Sequence, residues 1–471
     1  MVTSSPLSKE LRLTLYGKQL LHDEILQTFT QQELDHHFNH QWINYTPSIT
    51  KNNYSIICLR CHNNRRSLFA KHYCYRCSSV CTYCRNCINI GKSSMCHPIV
   101  KWTGPQSSLT KPPAEPVLQW NGTLSKPQQL ASEQLITSIQ TRQSTLVHAV
   151  CGAGKTEILF KAVAYSLSAN QQICIATPRR DVVQELFPRF LKAFPTTLIQ
   201  ALYGGSADRN NMANLTIATT HQLYRYSSAF DVMIIDEVDA FPYTMDITLQ
   251  KAAQNARKPD SALIYLSATP NKAMLAEVKK GSLQSVTIPA RYHGYPLPEP
   301  QTKWIGNWKK SIVQHRLPYA FQKWLEHRLS SDKTMLIFLA DIESMLSLEK
   351  ILHRFTSKKL CSVHAKDPER SEKIEIMRKK ELKILLTTTI LERGVTFSNV
   401  DVAVLGAEKT IFTESALVQI AGRAGRDYRH PEGNVTFFHY GLTEAIIDAQ
   451  KHIRMMNRQA AKQGLLAERK S

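Results

Sequence analysis

From residue 145 onward the chain alternates short apolar runs with helical stretches, and this pattern constrains its fold more than any other feature. The first series of runs covers residues 146–150, 173–176, 198–202, 215–218, 232–235 and 263–266. The second series covers residues 335–339, 361–363, 384–386, 402–405 and 435–438. Short, fully apolar runs between helical stretches are typical of buried parallel strands joined by crossover helices. The pattern therefore predicts an α/β protein with two consecutive domains, each built around an open parallel sheet.

The sequence before these two domains divides into three predicted regions. Residues 1–50 are polar with scattered leucines, and they predict a helical or irregular extension. Residues 51–104 are rich in cysteine and predict a small zinc-binding module, while the prolines and serines of 105–117 predict a linker. The two α/β domains are then expected at 118–294 and 295–471.

The net charge points to a polyanionic partner. The chain carries 59 Lys and Arg against 38 Asp and Glu, which gives a formal charge of +21. Such an excess favours binding to nucleic acid, because each neutralised phosphate releases counterions. Charge alone does not separate this hypothesis from a basic protein without such a ligand. A hydrophobic content of 43% excludes a mostly disordered chain.

The sequence also predicts a cytoplasmic protein without an integral membrane segment. No uninterrupted apolar stretch approaches the roughly 18–20 residues that a membrane span needs. The first residues lack the charged region and the apolar region of a secretion signal.

Eight of the eleven cysteines lie between residues 58 and 96. They include the Cys-x2-Cys pairs Cys58 with Cys61 and Cys74 with Cys77, and the run Cys81-x2-Cys84-x2-Cys87. Such a pair directs two thiolates at one ion, and two pairs complete a tetrahedral Zn²⁺ site. A disulfide framework is not expected in a long chain without a secretion signal. The alternative to zinc is a set of reduced thiols packed in a small core.

The cysteines outnumber the ligands of one zinc ion, so the spacing leaves the ligand set open. Our first choice is Cys58 and Cys61 with Cys84 and Cys87. The Cys-x2-Cys pair of Cys74 and Cys77 offers further metal ligands, and Cys81 and Cys96 are available to complete a second site. A closed four-thiolate site has no open position for water, so its role is structural.

A glycine-containing loop follows the first apolar run. Residues 149–156 read A-V-C-G-A-G-K-T and depart from the phosphate-loop pattern only at Ala149, where that pattern has glycine. Backbone amides of such a loop bind phosphate at the N-terminus of the next helix. The expected ATP contacts are Gly152, Ala153, Gly154, Lys155 and Thr156. Lys155 is expected to reach the β- and γ-phosphates, and the Thr156 hydroxyl is expected to ligate Mg²⁺.

An acidic pair follows the run at 232–235. Asp236 lies 81 residues after Lys155, and Glu237 follows it, at the predicted carboxyl end of a buried strand. We assign Asp236 to Mg²⁺ and Glu237 to orienting and deprotonating the attacking water. On its own the pair would more often be a solvated acidic turn; together with Lys155 it indicates a nucleoside triphosphatase.

The second α/β domain carries an arginine-containing segment at 419–426. Alone it would be a solvated helix face, but arginines from a facing domain can stabilise charge on a transferred γ-phosphoryl group. Arg423 and Arg426 are therefore predicted catalytic residues. Because they lie in the other domain, hydrolysis is expected to require closure between the domains.

Read in order, AVCGAGKT, DEVD, SAT and QIAGRAGR resemble the motifs of superfamily 2 helicases and translocases. Residues 177–180, 203–206 and 219–223 resemble strand-contacting motifs of the first domain. In the second domain, His364 through Arg370 and residues 387–395 resemble their counterparts, and the latter include the candidate nucleotide-site residue Gly394. Gln128 lies in a segment that resembles the adenine-reading motif.

A cysteine module ahead of such a motor, with residues 290–298 between the motor domains, resembles the ComFA family of late competence proteins. The resemblance implies two RecA-like domains and an ATP-driven translocase acting on single-stranded DNA. It also implies work at the inner face of the cytoplasmic membrane, beside an uptake channel and other competence proteins. Family ATP-site roles carry over to Lys155, Thr156, Asp236, Glu237, Arg423 and Arg426. Family zinc ligands carry over to Cys58, Cys61, Cys84 and Cys87.

Three other functions share part of this pattern but fit it less well. A primosomal replication-restart helicase also joins cysteines to such a motor, but its cysteines interrupt the motor, whereas here all eight precede it. An RNA helicase fits less well, because residues 236–239 and the glutamine segment differ from the usual RNA-unwinding forms. A zinc-bearing DNA-binding protein with a decayed nucleotide site would be expected to lack at least one of the ATP-site residues.

Overall fold

The computed structural model describes residues 7–105, 118–206 and 213–467. Almost all of the predicted linker at 105–117 therefore lies outside the described residues. The chain divides into two compact units. Unit 1 contains Met1–Val147, Thr156–Leu266 and Ala273–Val286. Unit 2 contains His148–Lys155, Ser267–Lys272 and Thr287–Ser471.

The N-terminal part of unit 1 is a small mixed region. Its helices are α1 (Lys9–Leu15), α2 (His22–Ile25) and α3 (Gln31–Asn39). Its strands are β1 (Gln19–Leu21), β2 (Ile43–Thr46), β3 (Ile49–Lys51), β4 (Ile56–Cys58), β5 (Phe69–Cys74), β6 (Ser79–Cys84) and β7 (Ile99–Trp102). Strand β7 pairs antiparallel with β1 on one side and with β2 on the other, and β3–β4 and β5–β6 are antiparallel pairs.

The two strands β1 and β2 were not predicted for residues 1–50. They have only three and four residues, so they carry little periodic signal. Their common partner β7 lies beyond the cysteine-rich segment, and no local pattern reveals a pairing at that distance. Leu20 and Tyr45 both lie opposite Val100, and Leu20 and Val100 belong to the same small core.

The next part of the chain forms a seven-stranded sheet. Its strands are β8 (Ser144–Ala149), β9 (Ile173–Thr177), β10 (Ile199–Leu202), β11 (Leu215–Thr219), β12 (Phe230–Ile235), β13 (Arg257–Ser267) and β14 (Gln284–Ile288). The helices are α4 (Lys126–Gln140), α5 (Lys155–Ser168), α6 (Arg180–Ala193), α7 (Ile247–Ala256) and α8 (Lys272–Lys280). The strand order is β10-β11-β9-β12-β13-β8-β14, and neighbours from β10 through β13 are parallel. Every residue of β9 and β11 is buried, as expected for strands covered on both faces.

Unit 2 contains a six-stranded parallel sheet. Its strands are β15 (Gln301–Trp304), β16 (Thr334–Leu339), β17 (Leu360–Val363), β18 (Ile384–Thr387), β19 (Val400–Leu405) and β20 (Val435–His439), in the order β15-β20-β19-β16-β18-β17. The helices are α9 (Trp308–Val313), α10 (Tyr319–Leu329), α11 (Ile342–Phe355), α12 (Arg370–Arg378), α13 (Glu414–Ala421) and α14 (Glu444–Lys462). Across the described residues, no helix combines the length and the apolar character that a membrane span requires.

The predicted fold class is confirmed: two parallel-sheet RecA-like domains follow a cysteine-rich module. Each of the eleven apolar runs of the sequence corresponds to a strand, although Val150 and Leu198 lie one residue outside β8 and β10. Strands β14 and β15 were not predicted. Both lie at sheet edges, where fewer side chains are buried and an apolar run is not needed.

A buried ion cluster connects the cysteine-rich module to the motor sheet within unit 1. Arg60 is fully buried, and its Nη2 donates to Glu24 Oε2 at 2.9 Å. Arg225 Nη2 donates to Glu24 Oε1 at 2.6 Å, and Arg225 ends the 3-10 turn Thr220–Arg225 that follows β11. Burial raises the pKa of Glu24, but the two guanidinium groups outweigh burial and hold that pKa below its usual value. One carboxylate thus pairs with two arginines from distant parts of the sequence.

We predict that Glu24→Gln destabilises unit 1 by about 3 kcal/mol, because the fully buried Arg60 and the partly buried Arg225 then face each other without this counter-charge. Urea unfolding at neutral pH measures this loss. Glu133→Gln is the matched control, since Glu133 is an exposed carboxylate of the same unit, and it should change stability by less than about 0.5 kcal/mol. Equal unfolding free energies for Glu24→Gln and the parent protein would contradict the assigned role.

Candidate nucleotide and metal sites

The glycine loop lies between β8 and α5, which begins at Lys155. Gly152 and Gly154 have φ angles of +83° and +74°, a left-handed conformation that favours glycine. The Ala153 amide donates to the Val150 carbonyl at 3.1 Å, which closes the turn. Strand, glycine turn and helix N-terminus therefore follow one another as a phosphate-binding loop requires. Lys155 is half-buried, and Thr156 is buried.

The acidic pair follows β12, in the same seven-stranded sheet as β8. Asp236 and Glu237 are both buried, and Asp236 Oδ1 accepts a hydrogen bond from the Glu237 amide at 2.8 Å. Glu237 has a φ of +54°, a conformation that costs a non-glycine residue on the order of 1 kcal/mol or more. Buried, strained acidic residues at a strand end are unusual for a solvated turn, and they occur where a site imposes the conformation.

Gln128 has a structural role that its sequence context did not reveal. It is buried in the first turn of α4, where its Oε1 accepts a hydrogen bond from the Ser125 amide at 2.8 Å. The Ser125 hydroxyl in turn accepts from the Gln128 amide, so the two residues form a capping box. The residue with the resemblance to an adenine-reading glutamine thus also defines the start of its helix.

The arginine segment of unit 2 is held by backbone carbonyls. Arg423 is buried; its Nε donates to the Glu392 carbonyl at 2.9 Å, and its Nη1 donates to the Val395 carbonyl. Arg426 Nη1 reaches the same Val395 carbonyl at 3.5 Å, a longer contact. Gly394, between these acceptors, has a φ of +70°. The two predicted catalytic arginines and Gly394 therefore belong to one hydrogen-bonded cluster.

Unit 2 also contains the glycine-loop residues 148–155, and Arg291 links them to the arginine segment. The Arg291 side chain packs against Gly152, where a Cβ atom would lie 3.5 Å from Arg291 Cγ. Its guanidinium donates to the carbonyls of Gly422, Ala424 and Gly425. Burial lowers the pKa of Arg291 to about 10, which still leaves the group charged at neutral pH.

Arg291 was not among the predicted site residues. The only signal was its place in the 290–298 segment, and a single arginine there is indistinguishable from a surface residue. Two further contacts in unit 2 were equally unpredictable. Cys151 Sγ lies 3.0 Å from Gln419 Oε1, and Thr269 Oγ1 donates to Ser415 Oγ at 2.8 Å.

Four fully buried cysteines form the first metal group: Cys58, Cys61, Cys84 and Cys87. The Sγ atoms of Cys58 and Cys87 are 3.7 Å apart, and those of Cys61 and Cys84 are 3.6 Å apart. A tetrahedral Zn²⁺ with Zn–S bonds of ~2.3 Å separates its sulfurs by roughly 3.75 Å. These residues therefore fit a structural zinc ion. Cys74 and Cys77 do not join this group; they lie in a second one with Cys81 and Cys96.

The first metal group belongs to the same buried core as part of the motor domain. Its four cysteines lie in one apolar cluster with Leu223, Tyr224 and Leu249. Beside them, Asn86 Nδ2 donates to Thr248 Oγ1 at 2.8 Å, and the Tyr224 hydroxyl is 2.5 Å from the same oxygen. A metal ion at this position would stabilise the packing around the turn that follows β11.

Comparison with known protein families gives a separate match for each region. Residues 4–101 match the competence protein ComFA N-terminal domain. Residues 121–272 match the family described as type III restriction enzyme, res subunit. Residues 319–428 match the helicase conserved C-terminal domain.

Solved structures share the fold of the motor domains at low sequence identity. Saccharomyces cerevisiae Dbp5 bound to RNA and ADP BeF3 matches 71% of this chain and 91% of its own, with a TM-score of 0.52 and 14% identity. RecG bound to a three-way DNA junction matches 74% of this chain and 49% of its own, with a TM-score of 0.51 and 17% identity. At these identities the likeness concerns the fold alone.

Whole-chain relatives are much closer. Competence protein ComFA of Bacillus subtilis is 44% identical over 459 residues, which are 98% of this chain and 97% of the relative. Competence protein ComFA of Streptococcus pneumoniae is 35% identical over 93% of this chain and 98% of the relative. By contrast, replication restart protein PriA of Rickettsia prowazekii is 26% identical over 49% of this chain and 38% of its own length. The chain therefore belongs to the ComFA family of competence proteins.

Proposed function

We propose that this protein is an ATP-driven motor that moves single-stranded DNA during natural transformation. The observation that carries the proposal is the glycine loop between β8 and α5, with a buried acidic pair after another strand of the same sheet. This combination is the one that nucleoside triphosphatases use to bind phosphate and Mg²⁺. Membership of the ComFA family supports the biological role.

In this proposal the glycine loop binds the triphosphate of ATP. The amides of Gly152 and Gly154 donate to phosphate oxygens, while the Ala153 amide holds the turn through its bond to the Val150 carbonyl. The positive end of α5 adds to the attraction. The Lys155 ammonium group neutralises charge on the β- and γ-phosphates. Mg²⁺, when bound, withdraws charge from the phosphates.

The remaining roles are assigned to residues of the other sequence motifs. Thr156 and Asp236 supply oxygen ligands for Mg²⁺, and Glu237 orients and deprotonates the attacking water. Gln128 contacts adenine. Arg423 and Arg426 stabilise the charge that develops on the γ-phosphoryl group, and Gly394 gives the nearby backbone the turn that accommodates them.

The proposed track for this motor is single-stranded DNA. The formal charge of +21 favours a polyanion, and Arg180 packs over the Tyr203 ring at 4.8 Å, a cation and an aromatic face together. Both residues belong to segments that resemble strand-contacting motifs. We further propose that the protein works at the cytoplasmic face of the membrane with an uptake channel and other late competence proteins. In this proposal the role of zinc is structural, in the cysteine-rich module.

Replication restart is the weaker candidate function. The PriA match covers about half of this chain, whereas the ComFA relatives cover nearly all of it. A decayed nucleotide site is also disfavoured, because Lys155, Asp236, Glu237, Arg423 and Arg426 are all present.

We predict that Lys155→Ala lowers ATP turnover at least about 100-fold, because the charge on the β- and γ-phosphates loses the Lys155 ammonium group. Steady-state ATPase assays measure the loss, and circular dichroism checks the fold. Lys161→Ala is the matched control, since Lys161 is an exposed lysine of the same helix, and its turnover should equal that of the parent protein. An undiminished rate in Lys155→Ala would end the motor hypothesis.

We predict that single-stranded DNA stimulates ATP turnover more than duplex DNA or RNA. The comparison must use one salt concentration, because phosphate contacts make affinity fall steeply with salt. A titration of the parent protein with oligonucleotides of equal length measures the effect. A flat response to single-stranded DNA would contradict the proposed track, even if basal ATP turnover were present.

We predict that Arg291→Met lowers the kcat for ATP about 10-fold or more while the protein stays folded at 25 °C. Its three carbonyl acceptors lose their shared donor, and the arginine segment loses its register against the glycine loop. Arg429→Met, an exposed arginine in the same unit, is the control and should leave kcat unchanged. Equal kcat values for the two variants would show that Arg291 does not position the segment.

A further inference from the structure

A second group of four cysteines lies outside the first metal group. Cys74, Cys77, Cys81 and Cys96 have Sγ atoms that all lie within 4.8 Å of one another. Cys74 and Cys96 are 3.5 Å apart at sulfur, and Cys81 and Cys96 are 3.6 Å apart. The two tetrads share no residue, so the eight clustered cysteines divide completely between them.

The sulfur separations favour a metal ion over disulfides. A disulfide bond holds its sulfurs ~2.05 Å apart, well below the 3.5 and 3.6 Å found here. A tetrahedral zinc ion holds them roughly 3.75 Å apart. The first group has separations of 3.6 and 3.7 Å, so both tetrads have nearly the same spacing.

Two serine hydroxyls lie beside sulfur atoms of the second tetrad, as is common next to thiolate ligands of a metal. Ser79 Oγ donates to Cys77 Sγ at 3.2 Å, and Ser94 Oγ lies 3.7 Å from Cys96 Sγ. Ser94 is itself fixed, since its carbonyl accepts a hydrogen bond from Ser48 Oγ at 2.7 Å. Donors of this kind orient metal ligands and offset their negative charge.

The position of the tetrad explains what an ion would stabilise. Cys74 ends β5, Cys81 lies in β6, and Cys96 lies in the segment that leads to β7. Half of the β6 residues are buried, and β5 buries only Cys74. A two-stranded hairpin with so little apolar burial is marginally stable by itself. An ion would join the hairpin to the segment at Cys96.

We propose that Cys74, Cys77, Cys81 and Cys96 bind a second Zn²⁺ ion, which orders the β5–β6 hairpin. Four thiolates leave no open coordination position, so the ion is structural. Cys77 is exposed and Cys96 is half-buried, whereas all four cysteines of the first group are fully buried. The second ion should therefore exchange with chelators faster than the first. This proposal does not depend on ATP turnover or on DNA binding.

Elemental analysis of the full chain, purified without chelators, tests the proposal. We expect two zinc ions per chain in the parent protein and one in the double variant Cys74→Ser, Cys96→Ser. Cys361→Ser is the control, because Cys361 lies in β17 of unit 2, and it should retain two. One zinc in the parent protein, two in the double variant, or iron in place of zinc would overturn the assignment.

A second measurement keeps the proposal testable if the double variant fails to fold. A zinc-binding dye added to the parent protein should release one ion quickly and the other slowly. During the fast phase, trypsin should begin to cleave after Lys71 or Arg76 in the hairpin, while the motor domains stay resistant. Release of both ions in a single phase, or a fast phase without cleavage in the hairpin, would refute the proposed role.

Discussion

Burial of parallel strands on both faces is the constraint on which the candidate nucleotide site depends. A strand such as β9 or β11 has no exposed face on which polar chemistry could lie. Functional side chains must then follow the strands, where the backbone leaves the sheet. The glycine loop after β8 and the acidic pair after β12 both obey this rule. The burial of the strands on both faces thus explains both the apolar runs and the position of the candidate site residues after them.

The two candidate metal groups have a different role, which is to stabilise the N-terminal region. The N-terminal region has short strands and a small core of its own, so it buries little apolar area. The first cysteine group compensates by lying in the same cluster as Leu223 and Tyr224 of the motor domain. The Glu24 cluster with Arg60 and Arg225 reinforces the same connection by charge. In unit 1, the module and the motor sheet are therefore best regarded as one folding unit.

The sequence predicted those parts of the fold that local patterns determine. Each of the eleven apolar runs marks a strand to within one residue, and the glycine loop has the strand, turn and helix that its motif requires. The edge strands β14 and β15 escaped prediction because edges need no apolar run. Spacing suggested the two cysteine tetrads but left the ligand set open, and the fold brings the members of each tetrad together. The contacts of Arg291 escaped prediction because they depend on residues far apart in sequence. Spacing identifies possible ligands, and only the fold determines which of them meet.

Buried arginines show why the net charge overstates the surface available to DNA. Arg60, Arg291 and Arg393 are 0%, 2% and 1% exposed, and each is committed to acceptors inside the protein. A guanidinium group presents several donors in a fixed plane, so one arginine can satisfy carbonyls of an irregular segment that water cannot reach. These cations contribute to the total of +21 but release no counterions from nucleic acid. The salt dependence of the proposed DNA binding should accordingly reflect the exposed lysines and arginines.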